Sequence, residues 1–174
     1  MALPNPNRAD IFAANGWFRP ELVEEPAAKA LQRAVCWASD TRWDSIRTPH
    51  LFMGLLSASD RRVNAWCRMI GADADSLLLQ FAALFTRSRA TPATIVRLHR
   101  EFLSENAIGV LRSARDRSRR CRRETIRISD LLVAIFSPAS GIVAGCFADV
   151  GFPPDRLAAM AVAAEERNPE PESR

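Results

Sequence analysis

Slid along itself by 80 positions, the chain matches its own sequence: residues 27–83 align with 107–163 without a gap, and 13 of the 57 pairs are identical. The identities are Ala27, Leu31, Ala34, Arg42, Ile46, Arg47, Leu51, Ser57, Val63, Gly71, Asp75, Leu77 and Ala83 with their partners. An Ala- and Arg-rich composition gives fewer matches by chance, so the chain is read as two copies of one structural unit. The densest agreement lies between "SIRTPHLFMGLLS" at 45–57 and "TIRISDLLVAIFS" at 125–137.

Each copy divides into four helical segments. In the first, Leu31, Ala34, Val35 and Ala38 stand at i, i+3, i+4 and i+7, the spacing of a one-faced helix, and Leu111, Ala114 and Ser118 are the counterpart. A short helix follows from Pro49 to Leu56, with Thr48 as expected N-cap and Pro49 at the first helical position, where its missing N–H costs nothing; Ser129 or Asp130 is expected to cap the second copy. The third segment places Val63, Trp66, Cys67 and Ile70 on one face, repeated as Val143, Cys146, Phe147 and Val150. Gly71 and Gly151 then stop the helix, because glycine takes the left-handed cap at little cost. The fourth segment begins after Asp73 or Asp75 and is expected to bury Leu77, Phe81, Leu84 and Phe85; its partner after Pro154 uses Leu157, Met160 and Ala164. No stretch alternates with period two, so no strand is expected. The expected fold is all-α: an eight-helix pseudo-twofold domain of two four-helix repeats that bury their apolar sides on each other. Its divisions are an N-terminal arm at 1–21 and a double-repeat domain at 22–165. Within that domain, repeat one spans about 24–85, a linker 86–101 and repeat two about 104–165; a disordered tail at 166–174 follows.

Composition narrows the function. No apolar run reaches the ~20 residues that span a bilayer, and the start lacks the pattern of a secretion signal, so a cytoplasmic protein without membrane contact is expected. Cys36, Cys67, Cys121 and Cys146 form no CxxC pair, and His50 and His99 lie in different segments, so neither a metal site nor a disulfide framework emerges. No G-x-x-x-x-G-K-[ST] loop is present to cradle a nucleotide phosphate. No paired carboxylates or nucleophile motif can be assembled from local spacing either, so no enzyme activity and no cofactor are expected.

A first helix with "A..A", the phrase "TPHLFMGLL" and then "W..MIGADADSL", written twice, resembles the Clp N-terminal domain, a double repeat at the front of Clp-type AAA+ unfoldases. In that family the phrase usually reads Thr-Glu-His-Leu-Leu. Thr48, His50, Leu51, Leu55, Leu56 and Gly71 stand at family positions, whereas Ser129 and Asp130 replace Glu and His in the second copy. The resemblance implies a free-standing Clp-N domain, without the ATPase modules. Such a domain is a non-catalytic recognition module whose partners would be a Clp-type AAA+ unfoldase, its adaptor, or a client protein or peptide, and whose role would be to modulate quality-control proteolysis. In one branch of the family the Glu before the conserved His reads phosphorylated arginine. Pro49 and Ser129 occupy those positions here, and neither can pair with a guanidinium, so that recognition is expected to be lost. Arg42 and Arg122 stand where relatives commonly end the first helix with Gly.

Two surfaces are candidates for holding a partner. Trp37 falls off its helix's Ala face and Trp43 lies in the following loop, an expected exposed aromatic pair, whereas Trp66 belongs to the core stripe. The segment 111–127 carries eight arginines against Asp116 and Glu124, and Arg115, Arg119 and Arg122 are expected along one helix side. Such a face would attract an acidic protein surface, or nucleic acid in the alternative reading of the chain as a small nucleic-acid-binding regulator. His50 is expected to serve its turn by hydrogen bonding.

Overall fold

A computed structural model describes residues 10–88, 95–137 and 141–169. They contain α1 Glu25–Asp40, α2 Thr48–Leu56, α3 Arg61–Met69 and α4 Ala74–Phe85, followed by α5 Glu105–Arg120, α6 Ile128–Ile135, α7 Ile142–Ala148 and α8 Pro154–Arg167. Three of the four helix pairs start 80 residues apart and α3 and α7 start 81 apart, so the repeat in sequence is a repeat in structure. Among the described residues there is no named strand, only isolated bridges. The all-α, two-by-four reading of the sequence holds.

The short helices α2 and α6 are central. Every residue of α2 is buried, and in α6 only Val133 is partly exposed, so these helices are apolar all round because neighbours cover them on every side. Phe52 of α2 joins Trp66, Phe81, Phe136 and Phe147 in one aromatic cluster; Trp66 stacks on Phe136 at 5.2 Å, and its indole N–H donates to the Leu157 carbonyl at 3.1 Å. The first helix presents small residues, Ala27, Ala30, Ala34 and Ala38, which let α2 approach closely at Gly54.

The halves interlock rather than merely touch. The 3-10 turns Pro20–Leu22 and Arg100–Phe102 extend the repeat towards the N-terminus, and each lead-in crosses to the other half. Val23 bridges Ile126, while its equivalent Leu103 bridges Ile46. The third helices cross as well: α3 packs on α6 and α8, and α7 packs back on α2.

Several expectations need correction. Leu84 and Val150 are exposed (66% and 69%), Leu84 on the solvent side of α4 and Val150 beyond the end of α7 at Ala148; Ile70, Phe85 and Cys146 are only half-buried. Thr48 is the first residue of α2 and not its cap, the cap positions being Arg47 and Arg127. The N-terminal segment is more than an arm: Ile11, Phe12 and Phe18 are buried against the core, and Trp17 bridges His99. Helix α8 runs to Arg167, two residues into the segment assigned to a tail; residues 1–9, 89–94 and 170–174 lie outside the described residues.

Gly71 (φ 75°) and Gly151 (φ 90°) hold the left-handed conformation expected of them. Arg42 (φ 65°) and Arg122 (φ 56°) hold it too, each just past the end of a first helix. That conformation costs an L-residue roughly 1–2 kcal/mol, which glycine avoids. Glycine's extra freedom in the unfolded chain offsets about 0.5–1 kcal/mol of the gain. Arg122→Gly is therefore expected to raise the thermal midpoint by about 1–3 °C, read by circular dichroism. A lowered midpoint would show that the Arg122 side chain outweighs its backbone strain.

Candidate functional site

The crossed lead-in sets the first turn of α5 beside loop 41–47 and the first turn of α2. Between them opens a cleft of about 280 Å³, with Trp43, Pro49, Phe85 and Ile142 as apolar walls and Arg47 and Glu105 on its polar rim. Trp43 is fixed by its indole N–H, which donates to the Phe85 carbonyl at 2.6 Å. Two guanidinium groups stand over its ring, Arg47 at 4.4 Å and Arg87 at 4.8 Å, distances at which a cation is attracted to the indole face.

Behind the cleft His50 is buried, 1% exposed, and meets Trp43 edge to face. Its Nδ1 accepts the Arg47 backbone N–H at 2.9 Å, which leaves the proton of the neutral ring on Nε2, facing Thr41 Oγ1 at 3.1 Å. The Thr41 hydroxyl in turn donates to the Trp37 carbonyl at 2.6 Å. Burial, with the charge of Arg47 added, lowers the imidazole pKa to about 4, so the ring is neutral at neutral pH. The expected structural role of His50 is what its geometry provides: an N3 side chain satisfying the N-cap N–H of α2.

The second half keeps this backbone and exchanges its chemistry. Positions 37, 43, 50 and 85 carry Trp, Trp, His and Phe; their equivalents 117, 123, 130 and 165 carry Arg, Arg, Asp and Glu. The Asp130 carboxylate, fully buried, accepts from Arg117, from Arg123 at 2.8 and 3.0 Å and from the Arg127 backbone N–H at 2.8 Å. Glu165 accepts from Arg117 at 2.8 Å and from Ser129 Oγ at 2.8 Å. Burial alone would raise the Glu165 pKa, but these hydrogen bonds and the arginine charges hold it below the ordinary glutamate value. Across the lead-in, Glu24 accepts from Arg127 Nε at 3.0 Å and Thr125 Oγ1 at 3.2 Å. Where the first half has a cleft, the second is filled with its own ion pairs.

Related contacts account for five of the eight arginines in the segment 111–127. Arg112 pairs with Asp10, Arg115 donates to the Glu124 carbonyl, Arg117 and Arg123 hold Asp130, and Arg127 holds Glu24. The expected one-sided trio is not formed: α5 ends at Arg120, so Arg122 lies beyond it in a left-handed turn, and Arg115 folds back on the chain, leaving Arg119 exposed on the helix. The expected exposed tryptophan pair is not formed either. Trp37 is half-buried, its indole N–H donating to Ser57 Oγ at 2.7 Å, and only Trp43 reaches the cleft. Pro49 lines the cleft, Ser129 serves Glu165, and Asp130 is a buried ion-pair partner.

Sequence reasoning missed Arg47, Phe85, Glu105 and Ile142 in the cleft, and Glu24 and Glu165 opposite. For Phe85, Glu165, Ile142 and Glu24 a signal was available at the 80-residue offset, where Phe85 faces Glu165, Ile142 faces Arg62 and Glu24 faces Ser104; Arg47 and Glu105 pair with identical residues and gave none. Among the described residues no group of three or more His, Cys, Asp or Glu is placed to hold an ion. Burial, with Asp73 adding, raises the Cys67 thiol to about 12, which keeps it protonated and unreactive.

Two interlocked four-helix halves, one with an open cleft and one sealed by ion pairs, define a helical double-repeat domain. The family model for the Clp repeat (R) N-terminal domain matches residues 23–147, and the chain belongs to that family. Solved structures agree in fold. The N-terminal domain of the chaperone ClpD from Arabidopsis thaliana is 18% identical, with 84% of this chain and 96% of that one covered and a TM-score of 0.63. The N-terminal domain of the ClpV1 ATPase from the Sci1 type VI secretion system of E. coli is 16% identical, with 89% and 93% covered and a TM-score of 0.66. A ClpV N-domain in complex with a VipB peptide is 16% identical, with 83% and 89% covered and a TM-score of 0.58. No curated protein sequence matches the chain.

Proposed function

We propose that this chain is a non-catalytic protein- or peptide-binding module, which takes a segment of a client or adaptor in the cleft between α2 and α5. In that role it would modulate the quality-control or proteolytic work of a Clp-type unfoldase. One observation carries the reading. Of two equivalent places in the fold, the chain fills one with its own side chains and leaves the other open, walled by Trp43, Phe85 and Ile142. Aromatic side chains on a half-open wall are the groups that dominate binding hot spots. The ClpV N-domain solved with a VipB peptide supports peptide capture as something this fold accommodates. The arginine-rich segment does not favour nucleic acid, because most of its guanidinium groups are spent on carboxylates and a carbonyl of the chain itself.

The test is selection of peptides from a random display library on the immobilised full chain. Enriched peptides should bind in solution and lose about tenfold in affinity on Ile142→Ser, which removes an exposed wall without touching the core. Failure to enrich any peptide, or affinities unmoved by Ile142→Ser and Trp43→Ala alike, would overturn the proposal.

A further inference from the structure

We infer that the cleft reads an acidic peptide segment of a partner protein, a carboxylate beside a bulky apolar side chain, and that the second half displays the same recognition already satisfied within the chain. The inference rests on the peptide-binding reading above and names the chemistry of its ligand.

Residues 24, 125 and 127 are the equivalents of 104, 45 and 47, and the backbones of the two places are in the same register. Glu24 N–H donates to the Ile126 carbonyl at 3.0 Å, and Ser104 N–H donates to the Ile46 carbonyl at 3.0 Å. A side chain at 104 therefore stands to Arg47 as a side chain at 24 stands to Arg127. In the second half, Arg127 Nε and Thr125 Oγ1 converge on Glu24 Oε1, at 3.0 and 3.2 Å. In the first half both donors are kept, as Arg47 and Ser45, but the acceptor is gone. Ser104 is too short to reach, and its Oγ caps α5 by accepting the Ala107 N–H at 3.2 Å. Ser45 Oγ makes only a long bond to Asp44, at 3.4 Å. Among the described residues Arg47 has no carboxylate partner and lies over Trp43 instead.

The place left by the missing carboxylate borders the apolar wall. A peptide that put a carboxylate on Arg47 and Ser45 would set a neighbouring side chain against Trp43, Phe85 and Ile142, the last of these 52% exposed. Arg87, over the same indole, adds a second positive charge at this end. Glu105 stands on the α5 side of the rim and disfavours a second carboxylate there, so the acidic group belongs at the arginine end.

The experiment uses three pools of terminally capped hexapeptides that share a fixed Leu followed by Glu, Gln or Lys, with the other positions randomised. Binding to the full chain is followed by backbone amide shifts in nuclear magnetic resonance. The Glu pool is expected to bind about tenfold more tightly than the Gln pool, the worth of one charge-assisted hydrogen bond, and the Lys pool more weakly than either. Arg47→Gln should erase the difference between Glu and Gln, and Glu105→Gln should tighten the Glu pool. Ser104→Glu supplies from within the chain the carboxylate that Glu24 supplies opposite. It should leave the chain folded, as Glu24 leaves α1, and weaken the Glu pool at least about tenfold by occupying its place. Equal binding of the Glu and Gln pools, or a Ser104→Glu chain that binds the Glu pool as the parent does, would overturn this inference and leave peptide binding standing. If no pool binds the parent chain, both readings fall.

Discussion

Asp130→Ala should lower folding stability by about 3–5 kcal/mol, the cost of breaking a buried ion pair by removing one partner. The carboxylate is fully buried and serves three donors: the guanidinium groups of Arg117 and Arg123 and the backbone N–H that begins α6. Its removal leaves two arginines, 13% and 15% exposed, with Glu165 as their remaining carboxylate among the described residues, and leaves a helix-end N–H unsatisfied. Urea denaturation should show a lower midpoint with an unchanged slope. His50→Ala is the internal comparison, since it deletes the same N–H acceptor in the first half without stranding a charge, and should cost less. A loss for Asp130→Ala no larger than that for His50→Ala would mean that the arginines swing into water and the cluster contributes little.

Gly54→Ala should destabilise by about 1–3 kcal/mol, although alanine is the better helix former by about 1 kcal/mol. A Cβ at position 54 would lie 2.3 Å from the Ala30 carbonyl oxygen and 2.9 Å from the Ala34 nitrogen, both backbone atoms of α1 that no rotamer can move. Relief requires the two helices to part, which disturbs a core built on the small residues of α1. At the 80-residue offset the equivalent of Gly54 is Ala134 and that of Ala30 is Val110, so the second helix pair already carries a Cβ at that place. A gain in stability for Gly54→Ala, read by the same denaturation, would show that α1 and α2 can separate freely.

The helices and their pairing could be read from the sequence because the i, i+3, i+4, i+7 spacing of Leu31, Ala34 and Ala38, or of Val63, Trp66 and Cys67, reflects which face meets the core. The same spacing failed at Leu84 and Val150, which close their stripes at helix ends where nothing stands opposite. Capping was misplaced by one residue at Thr48 because the expectation sought a hydroxyl at the cap position. Here His50 and Asp130 satisfy the cap N–H from inside the helix. The arginine-rich segment misled for a different reason: Asp10, Glu24, Asp130 and Glu165, which neutralise much of it, are brought together only by the tertiary fold. The cleft was half visible. Trp43, Pro49 and His50 stand out in the sequence and Arg47 lies beside them, but Glu105 and Ile142 reach the same place only through the crossing of the two halves.

That crossing has a consequence for how the molecule comes to exist at all. Because Val23 pairs with Ile126, Leu103 with Ile46, and each third helix packs on the other half, neither repeat contains its own complete fold. The domain is in effect a paired assembly whose two parts share one chain, and covalent linkage sets their effective concentration. A gene encoding one copy would yield a product with an unpaired lead-in and a bare apolar side, stable only as a self-associated pair. Fusing two copies removes the dependence on protein concentration. It also frees the two equivalent places to diverge, which a symmetric pair of identical chains could never do: one has been closed with charges, and the other left open.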